Sequence, residues 1–330
     1  MIATELFTAD VLQLDAEAEI ARVIAWLRRT VGHELRRKGA VLGLSGGIDS
    51  SVCAALCARA FGPNRVLGVL MPERESASES LSLGQAVAER FGIPTVVEPI
   101  AAMLDAAGCY ARRDAAIRQL VPEFNADWKC KLALSSLFGD SPYRLTSLVV
   151  QSPDGRVLRL RLPLEPYQSI VAATNFKQRT RKMLEYFHAD RLRYAVVGTP
   201  NRLEYELGFF VKNGDGAADV KPIAHLYKTQ VYQLAEALDV PAEIRCRPPT
   251  TDTFSLPQSQ DEFYFAVPYA ELDLCLWADH HGVPADQVAE ATGLSVDDVL
   301  RVFDDIQAKR TVAEYLHAAP RWMEADVRRD

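Results

Sequence analysis

The chain has 330 residues, 48% of them hydrophobic and 25% charged, which are the proportions of an ordinary soluble globular protein. Its formal charge of −7 argues against a general nucleic-acid binder or a protein that adheres to anionic membranes. No apolar run approaches the ~20 residues a spanning helix needs. The first ten residues carry acids and no long apolar core, unlike a secretory signal.

Residues 15–38 show helical periodicity, with Ile20, Val23, Ile24, Leu27, Val31 and Leu35 on one side. A short apolar strand follows at 40–44. It runs into Gly43-Leu44-Ser45-Gly46-Gly47-Ile48-Asp49-Ser50 and then into an alanine-rich helix over 52–61. A strand, a glycine turn and a helix together point free backbone N–H groups at an anion. No lysine follows the turn, so it is not the Walker loop that grips a triphosphate. Asp49 sits inside it instead, where a carboxylate beside phosphates makes sense with Mg²⁺ between them. The loop resembles the pyrophosphate-binding loop of the ATP pyrophosphatases, which split ATP between its α and β phosphates.

A second strand at 66–71 is apolar throughout, as a buried parallel strand requires. A helix at 80–91 and a third strand at 95–99 complete a βαβαβ rhythm, which predicts a doubly wound parallel sheet. The rhythm breaks over 109–168. There, 143–164 alternates about Ser152-Pro153-Asp154-Gly155-Arg156, predicting an inserted β-hairpin with Asp-Gly in its turn. This insertion is read as a cap or a dimer element. Helix at 176–188, strand at 194–199 and helix at 228–238 resume the pattern, and 269–330 reads as a helical, acidic C-terminal segment. The whole chain is taken as one domain carrying these additions. The stretch 283–303 is read as a helical hairpin rather than a DNA-binding helix-turn-helix. The six cysteines form no C-x-x-C pair, and Cys53 and Cys57 read as small core residues. Such usage suits a reduced, cytoplasmic protein.

A second dense region comprises Val197-Gly198-Thr199-Pro200-Asn201-Arg202-Leu203-Glu204, Gly208 to Asp219, Leu226-Tyr227-Lys228-Thr229-Gln230 and Pro248-Pro249-Thr250-Thr251-Asp252. Together with the glycine loop, these motifs resemble ammonia-dependent NAD synthetases over most of the chain. The resemblance implies an ATP-dependent, AMP-forming amide ligase. In that family, deamido-NAD is adenylated on its carboxylate and ammonia then displaces AMP, giving NAD. It places the ATP cradle on Gly43, Leu44, Ser45, Gly46, Gly47, Ile48, Asp49 and Ser50, with Thr199, Lys228 and Thr250 as further ATP contacts. Asp49 and Glu204 match the magnesium carboxylates, and Asp49 and Lys228 carry the catalytic electrostatics. Arg179, Lys212, Asp219 and Lys309 match residues that bind deamido-NAD. The resemblance also implies a homodimer. Ammonia would be free or supplied by a separate protein, because the chain carries no glutaminase domain.

Two features depart from the family pattern. The family has a much shorter connection where 109–168 lies. The stretch Gln307-Ala308-Lys309-Arg310 has alanine where the family carries histidine. Both touch the acceptor half of the site, so a paralogue amidating another carboxylate is the alternative reading. A non-catalytic nucleotide sensor would be expected to lack Asp49, Glu204 or Lys228, and all three are present.

Overall fold

The structure is a computed structural model that describes residues 7–138, 146–250 and 253–323, apart from the side chains of Ser78 and Asp261. Thr251, Asp252, the first residues of the expected hairpin and the end of the C-terminal segment lie outside the described residues. In chain order the elements are α1 (Ala16–Leu27), β1 (Ala40–Gly43), α2 (Ile48–Phe61), β2 (Val66–Leu70), α3 (Ser78–Phe91), β3 (Thr95–Val97), α4 (Ala101–Ala106) and α5 (Cys109–Arg118). Next come β4 (Lys129–Leu134), β5 (Thr146–Gln151), β6 (Val157–Arg161), α6 (Leu164–Leu192), β7 (Ala195–Val196), α7 (Arg202–Leu207), α8 (Lys228–Ala237) and α9 (Ala242–Arg245). Three helices close the chain, α10 (Tyr269–His281), α11 (Ala285–Thr292) and α12 (Val296–His317).

The central sheet has the order β3-β2-β1-β7, all parallel. Every residue of β2 is buried, because helices cover both faces. On one face α1, α2 and α8 pack through Leu27, Val52, Leu56 and Val231 against Ala40 and Leu42. On the other, α6 packs through Ala189 against Val41, Val69 and Val196. Alternate side chains of β1 thus serve opposite layers, as the period of two requires. The doubly wound expectation holds, and the glycine loop emerges where β1 gives way to α2.

The stretch 109–168 holds more than a hairpin. The β5–β6 hairpin is present, with Gly155 at φ +88° in its turn. A third strand, β4, pairs antiparallel with β5 along Lys129↔Gln151 to Leu134↔Thr146. The sheet buries Cys130, Leu132, Leu148 and Val150 against Ile117, Phe124 and Ile170. Its free edge carries a later loop: Cys130 O accepts from Leu256 N and Cys130 N donates to Ser255 Oγ. The helix expected at 176–188 is the 29-residue α6, beginning at Leu164. Its start is hidden by Pro163 and Pro166, yet proline fits a first helical turn, where no intrahelical N–H bond is lost. Its polar residues on every side erase the amphipathic signal over its length.

The C-terminal helices form a second core, with Leu272 and Leu276 of α10 against Val288 of α11 and Val299, Val302 and Ile306 of α12. Gly293, at φ +74°, makes the turn between α11 and α12. All six cysteines are free; Cys53 and Cys57 are fully buried in α2. Among the described residues no helix is long and apolar enough to cross a membrane.

Candidate active site

A cavity of about 780 Å³ opens over the carboxyl ends of β1 and β2, lined by the glycine loop on one side and by α6 on the other. Gly46 takes φ +74°, and a Cβ there would lie 2.6 Å from Leu83 Cβ. Only glycine combines that backbone with that closeness to α3. Gly47 is the N-cap of α2, and no side chain caps the helix. The first-turn N–H groups of α2 are therefore left for a ligand at the positive end of a 14-residue helix. The serines shape the loop from within: Gly47 N donates to Ser45 Oγ, while Ser50 Oγ and Ser51 Oγ donate to Gly47 O.

Asp49 projects from the first turn of α2 and meets two partners from distant segments. Lys228 Nζ donates to its Oδ2 over 2.5 Å, and Asn201 Nδ2 donates to its Oδ1 over 3.1 Å. Asn201 does a second job. Its Oδ1 caps α7 by accepting from Glu204 N, and Glu204 Oε2 accepts from Asn201 N in return. This capping box carries Glu204 to the same corner as Asp49. Burial, reinforced by the charge of Asp49 and opposed by Lys228, pushes the Glu204 carboxyl up to about 8. For Lys228, burial alone would lower the ammonium, but Asp49 and Glu204 outweigh it and the group stays above its ordinary range.

Lys228 owes its position to α8, whose first two N–H groups donate to the buried Asp273 of α10, Lys228 N to Oδ1 and Thr229 N to Oδ2. Burial pushes the Asp273 carboxyl up to about 6, while those two N–H bonds and Lys228 oppose the shift. No local signal marks Asp273 in the sequence. Asn201 was recoverable, since Asn-x-x-Glu is a helix-start signature.

Every residue expected at the ATP cradle lines the cavity, from Gly43 through Ser50, together with Thr199, Glu204, Lys228 and Thr250. Arg179 and Lys212 line it too. Arg179 Nε donates to Lys212 O, and Lys212 Nζ donates to the Tyr315 and Ala318 carbonyls at the end of α12. Asp219 and Lys309 are not among the lining residues. Asp219 accepts from Val196 N and so secures β7. Lys309 pairs with Asp305 one turn away and lies over the Tyr264 ring. Arg310 donates to Glu206 and Asp279, pinning α12 to α7.

A larger buried network escaped the sequence reading. Lys177 Nζ reaches Glu73, Glu75 and the Thr253 carbonyl, and Arg113 clasps Glu75 and Asp114. It joins the β2–α3 loop, α5 and α6, and Lys177 itself is part of the cavity wall.

Free helix N–H groups above a parallel sheet collect phosphate, and a lysine poised beside them matters where phosphate charge redistributes. The fold and site thus place the protein among the α/β enzymes of the adenine nucleotide alpha hydrolase-like fold. A family model described as NAD synthase matches residues 19–129 and 157–313, and the chain belongs to that family. It is 57% identical over 315 residues to the NH(3)-dependent NAD(+) synthetase of Rhizobium meliloti, covering 96% of this chain and 94% of the relative. It is 36% identical over 254 residues to that of Thermotoga neapolitana, covering 77% of this chain and 81% of the relative. Among solved structures, an NMN synthetase from Francisella tularensis superposes with TM-score 0.63 at 20% identity, covering 95% of this chain and all of that one. An NH3-dependent NAD synthetase from Campylobacter jejuni gives 0.61 at 21%, covering 94% of this chain and all of that one. At such identities the two structures speak for the fold alone.

Proposed function

We infer that the protein is an ammonia-dependent NAD synthetase, an amide-forming ligase that converts deamido-NAD, ATP and ammonia to NAD, AMP and pyrophosphate. The observation that carries this reading is the 57% identity along nearly the full length of a synthetase of that kind. Asp49, Glu204 and Lys228 stand together at the mouth of the loop, which also disfavours a non-catalytic sensor.

ATP binds with its phosphates on the loop N–H groups. An oxygen of the acceptor carboxylate attacks the α-phosphorus, the bond from that phosphorus to the bridging oxygen breaks, and pyrophosphate leaves. Ammonia then attacks the acyl carbon and loses a proton, and the bond to the adenylate oxygen breaks to release AMP. No protein nucleophile is required. The chain's contribution is to hold two anions together and to stabilise the charge that builds on the leaving pyrophosphate. Lys228 brings a point charge to that position and Arg179 a planar fork for the acceptor's anionic groups.

Asp49 and Glu204 suit Mg²⁺ by their chemistry: two carboxylates, one held protonated near neutrality by burial and its neighbour's charge unless a cation offsets it. Bound there, Mg²⁺ would neutralise phosphate charge while keeping most of its coordination for water and substrate. Asn201 and Gln260 orient the two carboxylates by donating to Asp49 Oδ1 and Glu204 Oε1.

A homodimer accords with the exposed Met183 and Phe187, one turn apart on α6. A cytoplasmic location accords with the six free cysteines. The insertion reading accords with the family model's gap at 130–156. The acceptor roles of Asp219 and Lys309 remain proposals from the family pattern, and neither side chain lines the cavity as it stands. A paralogue acting on another carboxylate is favoured only by that insertion and by Ala308. The deciding assay supplies purified protein with ATP, Mg²⁺, ammonium and deamido-NAD and scores NAD and AMP. Equal amounts of both are expected. AMP release only with a different carboxylate would overturn the substrate assignment.

A further inference from the structure

Three lysines of the cavity wall are almost wholly buried: Lys177, Lys182 and Lys228. They differ in how many of their three N–H donors the protein uses. Lys177 uses all three, on Glu73 Oε1, Glu75 Oε2 and the Thr253 carbonyl, so it holds loops together and has nothing left for a ligand. Lys228 gives one, to Asp49, and is the lysine already placed at ATP. Lys182 also gives one, to Glu185 Oε2 over 2.5 Å, and has no other hydrogen-bond partner among the described residues. A buried ammonium with unused donors is unfavourable unless a ligand accepts them.

The surroundings of Lys182 say where such a ligand sits. The other oxygen of Glu185 lies 2.9 Å from where a Cβ on Gly43 would stand, so the pair abuts the end of β1 and the start of the glycine loop. Asp215 and Lys221 lie within reach of its charge. The Asp215 carboxyl is raised by burial and held back by Lys182, and the Lys221 ammonium is lowered by burial and by the like charge of Lys182. Lys221 in turn packs against Gly198, just beyond β7. Lys182 therefore stands between the carboxyl ends of β1 and β7, where ligands of such sheets bind. One side is the ATP loop and the other the segment from Lys212 to Asp219.

We propose that Lys182 is a substrate-binding residue whose ammonium, aimed by Glu185, donates its two remaining N–H groups to an oxyanion at the reacting centre, either the acceptor carboxylate or an α-phosphate oxygen of ATP. The proposal rests on the amidation reading above. Adenylation forces these two oxyanions to one point, and a cation there offsets their repulsion. Glu185 is a positioning residue in this scheme.

The competing account is a structural ion pair, one turn apart on α6. Lys182→Met alone would strand a buried carboxylate and risk misfolding, so the informative protein is the double variant Lys182→Met/Glu185→Leu. Replacing a buried pair by apolar residues of similar size commonly leaves stability equal or higher. With the amidation assay and thermal melts on both proteins, the double variant is expected to keep its Tm and lose at least about tenfold in kcat/KM. A rise confined to the KM for deamido-NAD assigns the donors to the carboxylate, and one confined to the KM for ATP assigns them to the phosphate. A fall in kcat alone assigns them to the point where both meet. A folded double variant within about twofold of wild type for both substrates would overturn the proposal and leave the pair structural. Failure of the wild-type protein to make NAD would overturn the amidation reading, and the ligand assignment with it, and is visible in the wild-type arm alone.

Discussion

Lys228 and Asp49 lie 179 positions apart in the chain, and the ammonium of one donates to the carboxylate of the other over 2.5 Å at the mouth of the glycine loop. Lys228 is fully buried and Asp49 partly so, with Glu204 close enough to repel Asp49. A buried pair of this kind is a weak source of stability, since desolvation offsets most of its attraction. In the proposed reaction its value is that a cation and two carboxylates stand together at the corner assigned to the triphosphate and Mg²⁺.

Lys228→Met removes the cation and leaves two buried carboxylates facing each other. We expect pyrophosphate release to fall by about 10²–10³-fold, the usual range for losing one charge-stabilising donor. Asp49→Asn, which keeps the hydrogen bond from Asn201 but loses the charge, should fall similarly. Near-normal pyrophosphate release in either folded variant would remove that residue from the catalytic set.

Asp273→Asn tests the anchor of α8 through pH. The folded Asp273 carboxyl lies at about 6, above the ~3.9 of an unfolded chain. Between those values the folded protein keeps a proton that the unfolded chain has released. Wild-type stability therefore falls as pH rises through that window, by up to ~3 kcal/mol for a shift of about two units. The contribution is fully present below pH ~4 and lost above ~6. The asparagine variant cannot titrate here. In urea melts, the stability of wild type relative to the variant should decline from pH 4 to pH 7. Parallel curves would mean that Asp273 ionises normally.

These two anchors show what the sequence could and could not reveal. Parallel strands buried on both faces leave apolar runs such as Val66–Leu70 and force helices between them, so the main sheet was legible. The loop was legible because its chemistry is local: glycines, serines and Asp49 within a few positions. The third strand of the antiparallel sheet, β4, was not, since six residues paired to a partner beyond a connecting loop leave no local mark. The partners that aim the site are long-range for the same reason. Asp273 reaches Lys228 from a different helix, and Lys177 joins Glu73 and Thr253 from a third. Their signal is burial of charge, which exists only once the chain has folded.

Gly46 and Gly47 should respond differently to the same methyl group. At Gly46 an alanine would adopt φ +74°, a left-handed region costing about 1–2 kcal/mol, and press on Leu83 at 2.6 Å. At Gly47, φ is −86° and the nearest atom is Ser45 Oγ at 3.2 Å. Gly46→Ala should lower Tm and raise the KM for ATP by about tenfold or more, while Gly47→Ala has the smaller effect. Equal effects would mean that the turn conformation of Gly46 is not what shapes the phosphate site.

Gln260 separates metal orientation from loop structure. It sits on the loop held by β4, donates Nε2 to Glu204 Oε1 over 3.3 Å, and accepts the Tyr269 hydroxyl. Glu204 is thus gripped at both oxygens, by Gln260 on one and by the Asn201 N–H on the other. Gln260→Leu keeps the bulk but frees one oxygen to turn. If Glu204 serves Mg²⁺, losing a partner that orients a ligand should raise the Mg²⁺ concentration for half-maximal activity by about tenfold. The rate at saturating Mg²⁺ should change little, because the carboxylate itself remains. A titration of activity against Mg²⁺ at fixed ATP reads both quantities. An unchanged half-saturation with a depressed maximal rate would place Gln260 in the architecture of the loop and leave Glu204 without a metal role that depends on it.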